Sequence, residues 1–259
     1  MQSKVIKLII VFLLVQVSLI AQSRKVFVLV HGAWHGGWSW QRVSEQLRAE
    51  GNIVYAPSLS GLGEHRNQPH DSIDLNTHIT DIVNLLYMED LHDVVLVGHS
   101  YAGVVIAGVA DRMPERIRQL VFLDAVIAGN GESCISVHPA SLQKEFEKDA
   151  AQHGMHSLSI RPSSLFGVSN AQDRQWVDAR LTLQPYRTFA QPLALHHPYG
   201  NGLPMAYIAC TQPQLPVLGV FAAQAKQSPQ WKYYEMKTGH DAMVTQPKEL
   251  ADLLVTLSR

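Results

Sequence analysis

Short apolar runs alternate with amphipathic segments through the first half of the chain. The runs are rich in β-branched residues, which predicts buried strands at residues 25–30, 52–56, 94–98 and 118–124. Between them, apolar residues recur at intervals of three and four, which predicts helices; one such series is Leu75, Ile79, Ile82, Val83 and Leu86. Strands that alternate with helices predict an α/β domain, in which a parallel sheet is covered on both faces.

The alternation stops between about residues 131 and 203. Weaker helical patterns at residues 141–151 and 171–183 are separated by loops with several prolines. Because an insertion after a strand usually overhangs the carboxyl ends of a parallel sheet, we predict a cap over a ligand crevice. The sheet is predicted to resume at residues 205–211 and 231–236, before a final helix that Pro247 opens.

Residues 1–23 have the pattern of a secretory signal peptide. Lys4 and Lys7 precede an apolar run of about 14 residues, and a small-x-small site, Ala21 to Ser23, follows it. The run is short for a membrane span, although an uncleaved anchor is the alternative. We therefore expect residues 24–259 to form a single mature domain that is secreted or periplasmic.

Composition limits the partners of this domain. Loss of Lys4 and Lys7 would take the net charge from −1 to about −3, which argues against a nucleic-acid partner. The expected partner is a small molecule, without stable membrane insertion, and a homodimer remains open. Cys134 and Cys210 could bridge in an oxidising compartment, but both lie beside apolar segments, where buried free cysteines are common.

Ser100 stands at the predicted turn between the strand at 94–98 and a buried helix at 104–110. Gly98 and Ala102 occupy the positions two before and two after it, where a sharp strand-to-helix turn requires small side chains. In such a nucleophile elbow the serine hydroxyl points outward. We predict that Ser100 is a nucleophile; the alternative is a serine at an ordinary buried turn.

A serine nucleophile needs a base within hydrogen-bond reach, and we predict His240 in that role. It lies in the loop just after the last predicted strand, where the chain returns to the sheet edge that carries Ser100. It is also the last of 13 histidines, as the order serine, acid, histidine requires. A histidine in a surface turn is the alternative. His31 and His99 abut buried strands, so we expect them to hydrogen-bond the backbone.

The oxyanion of a tetrahedral intermediate needs fixed donors, and backbone N–H groups in tight turns supply them. The N–H of Tyr101, directly after the nucleophile, is one candidate. The N–H of Ala33, in the glycine-rich loop at residues 31–38, is the other. A simple strand-exit turn is the alternative interpretation of that loop.

Motifs for other chemistries are missing from the sequence. It contains no Gly-x-Gly-x-x-Gly, no phosphate-binding loop and no His-Glu-x-x-His. His31 and His35 are four residues apart, but the glycines around them argue against the helix that would bring both to one face. We therefore predict neither a cofactor nor a metal.

Three segments carry a resemblance to a known family: residues 31–38, 98–103 and 239–241. The chain resembles the α/β-hydrolase superfamily, in the branch of plant methylesterases, hydroxynitrile lyases and related bacterial esterases. The resemblance implies an α/β-hydrolase fold: a mostly parallel six-stranded sheet, helices on both faces and a helical cap inserted after the fourth strand. It also implies a Ser100 nucleophile, a His240 base, and oxyanion donors at Ala33 and Tyr101.

The chain departs from these relatives in two respects. Hydroxynitrile lyases of this branch carry threonine and lysine where this chain has Gly32 and Asp241, which disfavours lyase chemistry. The plant enzymes place their acid after the penultimate strand, where this chain has Gln212, and an amide cannot supply the negative charge. We predict instead that Asp124, at the end of the strand beside the nucleophile strand, orients His240. Alternatives are a turn-capping role for Asp124, or Asp241 as the acid.

Together these features predict a serine carboxylic-ester hydrolase that acts through an acyl-enzyme on a small, largely apolar ester. A non-catalytic homologue that binds a small molecule is one alternative, and a hydroxynitrile-lyase-like C–C lyase is another.

Overall fold

Six parallel strands form the central sheet, whose order is β2-β1-β3-β4-β7-β8. The computed structural model describes residues 24–259, so the predicted signal peptide lies outside the described residues. The strands of the sheet are β1 (Val26–Val30), β2 (Ile53–Tyr55), β3 (Val94–His99), β4 (Ile117–Leu123), β7 (Met205–Cys210) and β8 (Trp231–Met236). Two short strands, β5 (Ser157–Leu158) and β6 (Gln184–Pro185), pair separately and antiparallel.

Helices cover the sheet on both faces. They are α1 (Gln41–Ala49), α2 (Leu75–Met88), α3 (Ala102–Arg112), α4 (Ala140–Gln152), α5 (Ala171–Asp178), α6 (Tyr186–Ala190), α7 (Gly219–Gln227), α8 (Ala242–Thr245) and α9 (Pro247–Leu257). Right-handed crossovers place α1 opposite α2 and α3, because the strand order reverses after β2. Accordingly, α1 packs on α9, and α2 packs on α3. In residues 24–259, none of the helices has the length and apolarity that crossing a membrane requires.

The pattern of the sequence explains the central strands. Every residue of β3 and β7 is buried, as expected for parallel strands that are covered on both faces. The predicted α/β fold, with its six-stranded sheet, is therefore confirmed. No pattern had indicated α7, whose apolar stripe is weak.

The segment between β4 and β7 carries α4, α5, α6 and the β5–β6 pair. This is the region where the sequence predicts a cap. The helix predicted at residues 171–183 is shorter than expected and ends at Asp178. The residues after Asp178 explain the difference. Thr182 donates its backbone N–H to the carbonyl of Trp34, and Gln184 belongs to β6. These contacts hold the stretch in an extended conformation.

Candidate active site

Two loops meet where the strand order reverses. From β1 the chain crosses to β2 on one side, and from β3 it crosses to β4 on the other. The carboxyl ends of β1 and β3 therefore flank a crevice, which is the usual position of a ligand in an open parallel sheet. The glycine-rich loop at residues 31–38 leaves β1 at this point, and Ser100 follows β3.

Ser100 sits in a strained turn. Its φ of 56° places a non-glycine residue in the left-handed region, which costs about 1–3 kcal/mol. Hydrogen bonds from both sides hold it there: its N–H donates to the Leu123 carbonyl at 3.1 Å, and its carbonyl accepts from Val126 N at 3.0 Å. Gly98 is required because a Cβ at this position would lie 2.7 Å from the Ala102 carbonyl oxygen. The turn has the geometry of a nucleophile elbow.

Asp124 and His240 are joined by a short hydrogen bond between their side chains. His240 Nδ1 lies 2.7 Å from Asp124 Oδ2, and the carboxylate is fully buried. The other oxygen, Oδ1, accepts the Cys210 N–H at 3.2 Å, and the Asp124 N–H donates to Ile208 O at 2.7 Å. Both carboxylate oxygens are thus occupied by donors, which offsets part of the cost of burying a charge. Gln212 takes no part in this contact, and neither does Asp241.

His31 and His99 bond the backbone. His31 Nδ1 donates to Gly32 O at 2.8 Å, while Nε2 accepts the Leu59 N–H at 3.0 Å. His99 Nε2 donates to His240 O at 3.1 Å, so its ring holds the loop that carries His240. Burial lowers the pKa of His31 to about 3, and burial together with the neighbouring His240 holds the pKa of His99 well below its ordinary value. Both rings are therefore neutral.

His35 and Asp241 form a buried hydrogen-bonded pair between the glycine-rich loop and the His240 loop. His35 Nε2 lies 3.3 Å from Asp241 Oδ2, and His35 Nδ1 donates to the Ala33 carbonyl at 2.7 Å. Burial lowers the pKa of His35, but the Asp241 carboxylate and the Ala33 carbonyl outweigh it, so the pKa is raised overall. The neutral His99 lies 4.0 Å from Asp241 Oδ1, too far for a hydrogen bond. Of these two histidines, only His35 is hydrogen-bonded to Asp241.

The backbone N–H and carbonyl of Trp34, directly after Ala33, are both engaged. Gln184 Oε1 accepts the Trp34 N–H at 2.9 Å, and Thr182 N donates to the Trp34 carbonyl at 2.9 Å. By contrast, neither the Ala33 N–H nor the Tyr101 N–H donates a hydrogen bond within residues 24–259. The two N–H groups that the sequence singles out therefore remain available for an incoming oxygen.

A cavity of ≈ 110 Å³ contains both Ser100 and His240. Its walls are mostly apolar and come from both the sheet edge and the cap; they include Ala33, Trp34, Tyr101, Val126, Cys134, His138, Phe146, Phe166, Phe189, Leu215, Val217 and Leu218. Larger grooves of ≈ 550 and 570 Å³ elsewhere on the described surface contain none of the predicted site residues. The predicted site residues thus lie at a small cavity and not at the larger grooves.

Aromatic rings bind the cap to the site. Phe189 stacks on Tyr101 with ring centroids 5.1 Å apart, and Phe166 lies 5.9 Å from both Trp34 and His240. Such pairs contribute about 0.5–1.5 kcal/mol each beyond their buried area. The Phe166 carbonyl also accepts the N–H of Asp241 at 3.1 Å. The cap is thus bonded to the loops that carry His240 and Ala33.

The site offers limited support for a metal ion. His99, His240 and Asp241 present ligand-type atoms within 4.8 Å of one another. However, each side chain already uses one of its polar atoms elsewhere: His240 Nδ1 faces Asp124, His99 Nε2 donates to a carbonyl, and Asp241 Oδ2 pairs with His35. We interpret the grouping as three neighbouring side chains that serve separate hydrogen bonds. Cys134 and Cys210 are buried free thiols, so the bridge left open by the sequence is not formed.

Three residues of the site were missed by the sequence patterns. Gln184 and His138 lie in the cap, where no motif marks them, and Asp241 was considered only as a rival acid. Their partners are distant in sequence: Gln184 is 150 residues from Trp34, and Asp241 is 206 residues from His35. The contact between His35 and Asp241 is the one that the sequence could have suggested. His35 and Asp241 both lie in loops that are predicted at the same edge of the sheet.

Known proteins are similar to this chain over nearly its whole length. The carbendazim hydrolyzing esterase of Nocardioides sp. (strain SG-4G) is 36% identical over 240 residues, which cover 89% of this chain and 98% of that esterase. Methylesterase 10 of Arabidopsis thaliana is 27% identical over 88% of this chain and 90% of its own length.

Solved structures agree with the sequence relatives. An extracellular α/β-hydrolase from a Paenibacillus species superposes with a TM-score of 0.79 at 27% identity, covering 90% of this chain and 98% of that one. The model of the alpha/beta hydrolase family matches residues 27–253. Because this match spans most of the chain, and the sequence relatives agree with it, the chain belongs to the alpha/beta hydrolase family, in its methylesterase branch.

Proposed function

We propose that the protein is a serine carboxylic-ester hydrolase that acts through an acyl-enzyme on Ser100. One observation carries the proposal: the 2.7 Å hydrogen bond between Asp124 Oδ2 and His240 Nδ1 lies beside a cavity that also holds Ser100. The carboxylate fixes the proton on Nδ1, which leaves Nε2 as the basic nitrogen. The esterase and methylesterase relatives support ester hydrolysis as the reaction.

Ser100 Oγ attacks the ester carbonyl carbon while His240 Nε2 takes the hydroxyl proton. The carbonyl oxygen becomes an oxyanion between the N–H groups of Ala33 and Tyr101, whose positions need no reorganisation. When the C–O bond breaks, His240 returns the proton to the leaving alcohol. Water, deprotonated by the same nitrogen, then attacks the acyl-enzyme and releases the acid, which restores Ser100.

The cavity supports a small and largely apolar substrate. An engineered apolar cavity of about 150 Å³ accommodates benzene. A volume of ≈ 110 Å³ is therefore suited to an acyl group slightly smaller than a benzene ring. The aromatic walls favour an apolar group at that position.

Hydrolysis of short-chain p-nitrophenyl esters tests the proposal. We expect wild-type protein to hydrolyse them and Ser100→Ala to lose at least about 10³-fold in kcat, because the nucleophile is removed. Ser169→Ala, a change at an exposed serine of the cap, is the matched control and should behave as wild type. Equal rates for wild type and Ser100→Ala would overturn the proposal.

We further propose that the enzyme works outside the cytoplasm, after removal of residues 1–23. The basic, apolar and small-residue segments of the N-terminus support this. Fractionation of cells that express the full chain tests it. The mature protein should begin at Arg24 in the periplasm or medium, whereas a full-length protein in the cytoplasm would contradict the proposal.

A further inference from the structure

The cavity beside Ser100 is closed along most of its wall and open at one place. The lining residues that the glycine-rich loop and the cap contribute are all buried. Leu215 and Val217 differ from them, because both are only half-buried. Ser100 is the one other lining residue that is partly exposed. The cavity therefore opens to solvent beside Leu215 and Val217, close to the nucleophile.

Leu215 and Val217 belong to the connection between β7 and α7, which turns through a short 3₁₀ helix, Pro216–Leu218. The N–H of Leu218 donates to the Leu215 carbonyl at 2.9 Å, and Leu218 itself is 2% exposed in the same cavity wall. The turn is thus anchored, and it holds both side chains at the opening. The residues that line the cavity include no carboxylate, lysine or arginine, so the opening favours an apolar group.

The same connection is bonded to the loop that carries His240. Thr211 donates its N–H to the Met236 carbonyl at 3.0 Å, and Gln212 donates its N–H to the Thr238 carbonyl at 2.9 Å. Both acceptors lie within four residues of His240 in the sequence. The opening of the cavity is therefore built against the segment that positions the proposed base.

Another part of the wall is closed by aromatic rings. Phe189 stacks on Tyr101 with centroids 5.1 Å apart and lies 5.9 Å from Trp34, and Phe146 meets Phe189 edge-on at 5.5 Å. All four side chains line the cavity, and all four are buried. A chain that points towards these rings meets a closed end, which limits its length.

The proposed mechanism decides which half of an ester lies at the opening. His240 returns its proton to the oxygen of the leaving alcohol, so this oxygen must lie within hydrogen-bond reach of His240 Nε2. The alcohol then has to depart before water attacks, whereas the acyl group stays on Ser100. Both requirements place the alcohol at the opening beside the His240 loop and the acyl group in the closed end.

We propose that Leu215 and Val217 bind the alcohol portion of the substrate, and that the substrates are esters of short-chain acids with longer, apolar alcohols. The inference rests on the proposed esterase function. The cavity of ≈ 110 Å³ limits the acyl chain, but an alcohol chain can extend through the opening. Each methylene group that is fully removed from water strengthens binding about fourfold, so contact with two half-buried side chains should contribute about twofold per methylene.

Two isomeric esters test the assignment. Hexyl acetate and methyl heptanoate have the same composition, but the long chain belongs to the alcohol in the first and to the acid in the second. Hydroxide-catalysed hydrolysis normalises their intrinsic reactivity, and titration of the released acid gives the enzymatic rates. We expect wild-type protein to favour hexyl acetate at least about tenfold in kcat/KM, because only the alcohol chain can extend beyond the cavity.

Variants assign the preference to the opening. Hexyl acetate and methyl acetate form the same acetyl-enzyme, so the ratio of their kcat/KM values reports on the alcohol alone. The double variant Leu215→Asn/Val217→Thr keeps similar shapes and makes the contacts polar, and it should lower this ratio about threefold or more. Val220→Thr is the matched control, since Val220 is 59% exposed and lines a different groove, and it should keep the wild-type ratio.

Equal kcat/KM values for the two isomers, or a preference for methyl heptanoate, would overturn the inference. So would a ratio of hexyl to methyl acetate that the double variant leaves unchanged, or a protein that hydrolyses p-nitrophenyl acetate but not hexyl acetate. Each of these outcomes leaves the esterase function standing. If wild type hydrolyses neither these esters nor p-nitrophenyl acetate faster than Ser100→Ala, the esterase function itself fails.

Discussion

Gln184 Oε1 accepts the backbone N–H of Trp34 at 2.9 Å, although 150 residues separate the two. The amide of Gln184 is oriented by its other end, since Nε2 donates to Thr188 Oγ1 at 2.8 Å. A fully buried side chain of the cap thereby fixes the peptide that follows Ala33. The cap and the proposed oxyanion hole are therefore one hydrogen-bonded unit.

Replacing Gln184 by methionine, which has a similar shape but no amide, should loosen this unit. We expect kcat to fall about tenfold to a hundredfold. Complete removal of an oxyanion-hole donor costs more, about 10²–10³-fold, whereas here the donor stays and is only held less firmly. KM should change little, because the lost contact positions a donor for the transition state. Gln191→Met is the matched control, since Gln191 also lies in the cap but bonds Asn76. A kcat for Gln184→Met equal to that of the control would contradict the prediction.

Asp124→Asn should lower kcat by about 10³–10⁴-fold with the fold intact, as in serine hydrolases whose triad acid is made an amide. The physical reason is that an amide nitrogen facing His240 Nδ1 favours the wrong tautomer of the imidazole. Steady-state kinetics on a p-nitrophenyl ester provide the measurement, with thermal denaturation as the check on folding. Asp241→Asn should lose much less, because Asp241 faces His35. A variant of Asp124 that kept more than about a tenth of wild-type kcat would remove Asp124 from the triad.

The His35–Asp241 pair should make stability depend on pH. Because the folded state raises the pKa of His35 above 6.5, this pair stabilises the fold fully below about pH 6.5, and the contribution is lost as pH rises through the folded-state pKa. The double variant His35→Gln/Asp241→Asn keeps similar shapes without charge, which avoids leaving one buried charge unpaired.

Urea denaturation of wild type and double variant, compared between pH 5.5 and pH 9, measures this dependence. The free energy of unfolding of wild type should decline relative to that of the variant as pH rises. A difference that stays constant or grows with pH would refute a charged His35.

Gly32→Ala should damage the site through sterics. A Cβ at residue 32 would lie 2.8 Å from His99 Nδ1 and 3.0 Å from Ser100 Cβ. The ring of His99 cannot yield freely, because it donates to the His240 carbonyl. We expect a destabilisation of about 1–3 kcal/mol, typical of overpacking, and a kcat reduced about tenfold or more.

Gly129→Ala is the control for that substitution, since a Cβ there would approach nothing closer than 3.3 Å. Thermal denaturation and ester hydrolysis give the comparison. If the two variants were equally stable and equally active, the site would not depend on a glycine at residue 32, and the prediction would be contradicted.

The sequence predicted the strands well, because their buried runs are short, apolar and bounded by turn residues. The strand predicted at residues 231–236 has the observed bounds of β8, and Asp124 was located correctly at the end of β4. These predictions rest on local patterns and on the rule that parallel strands place their carboxyl ends at one edge.

The contacts of the cap could not be predicted in the same way. Gln184, His138 and Phe166 lie in a segment with weak periodicity, so nothing local indicates which side chain faces the site. The length of α5 was wrong because contacts to Trp34 hold residues 182–184 extended against a helical pattern. Here tertiary contacts outweigh local propensity.

The mass of the intact protein during turnover tests the central claim most directly. Rapid mixing with a p-nitrophenyl ester, followed by acid quenching, should show a species heavier by one acyl group, and peptide mapping should locate that group on Ser100. Ser100→Ala should show no such species. Hydrolysis by wild type without any adduct, together with equal hydrolysis by Ser100→Ala, would contradict an acyl-enzyme on this serine.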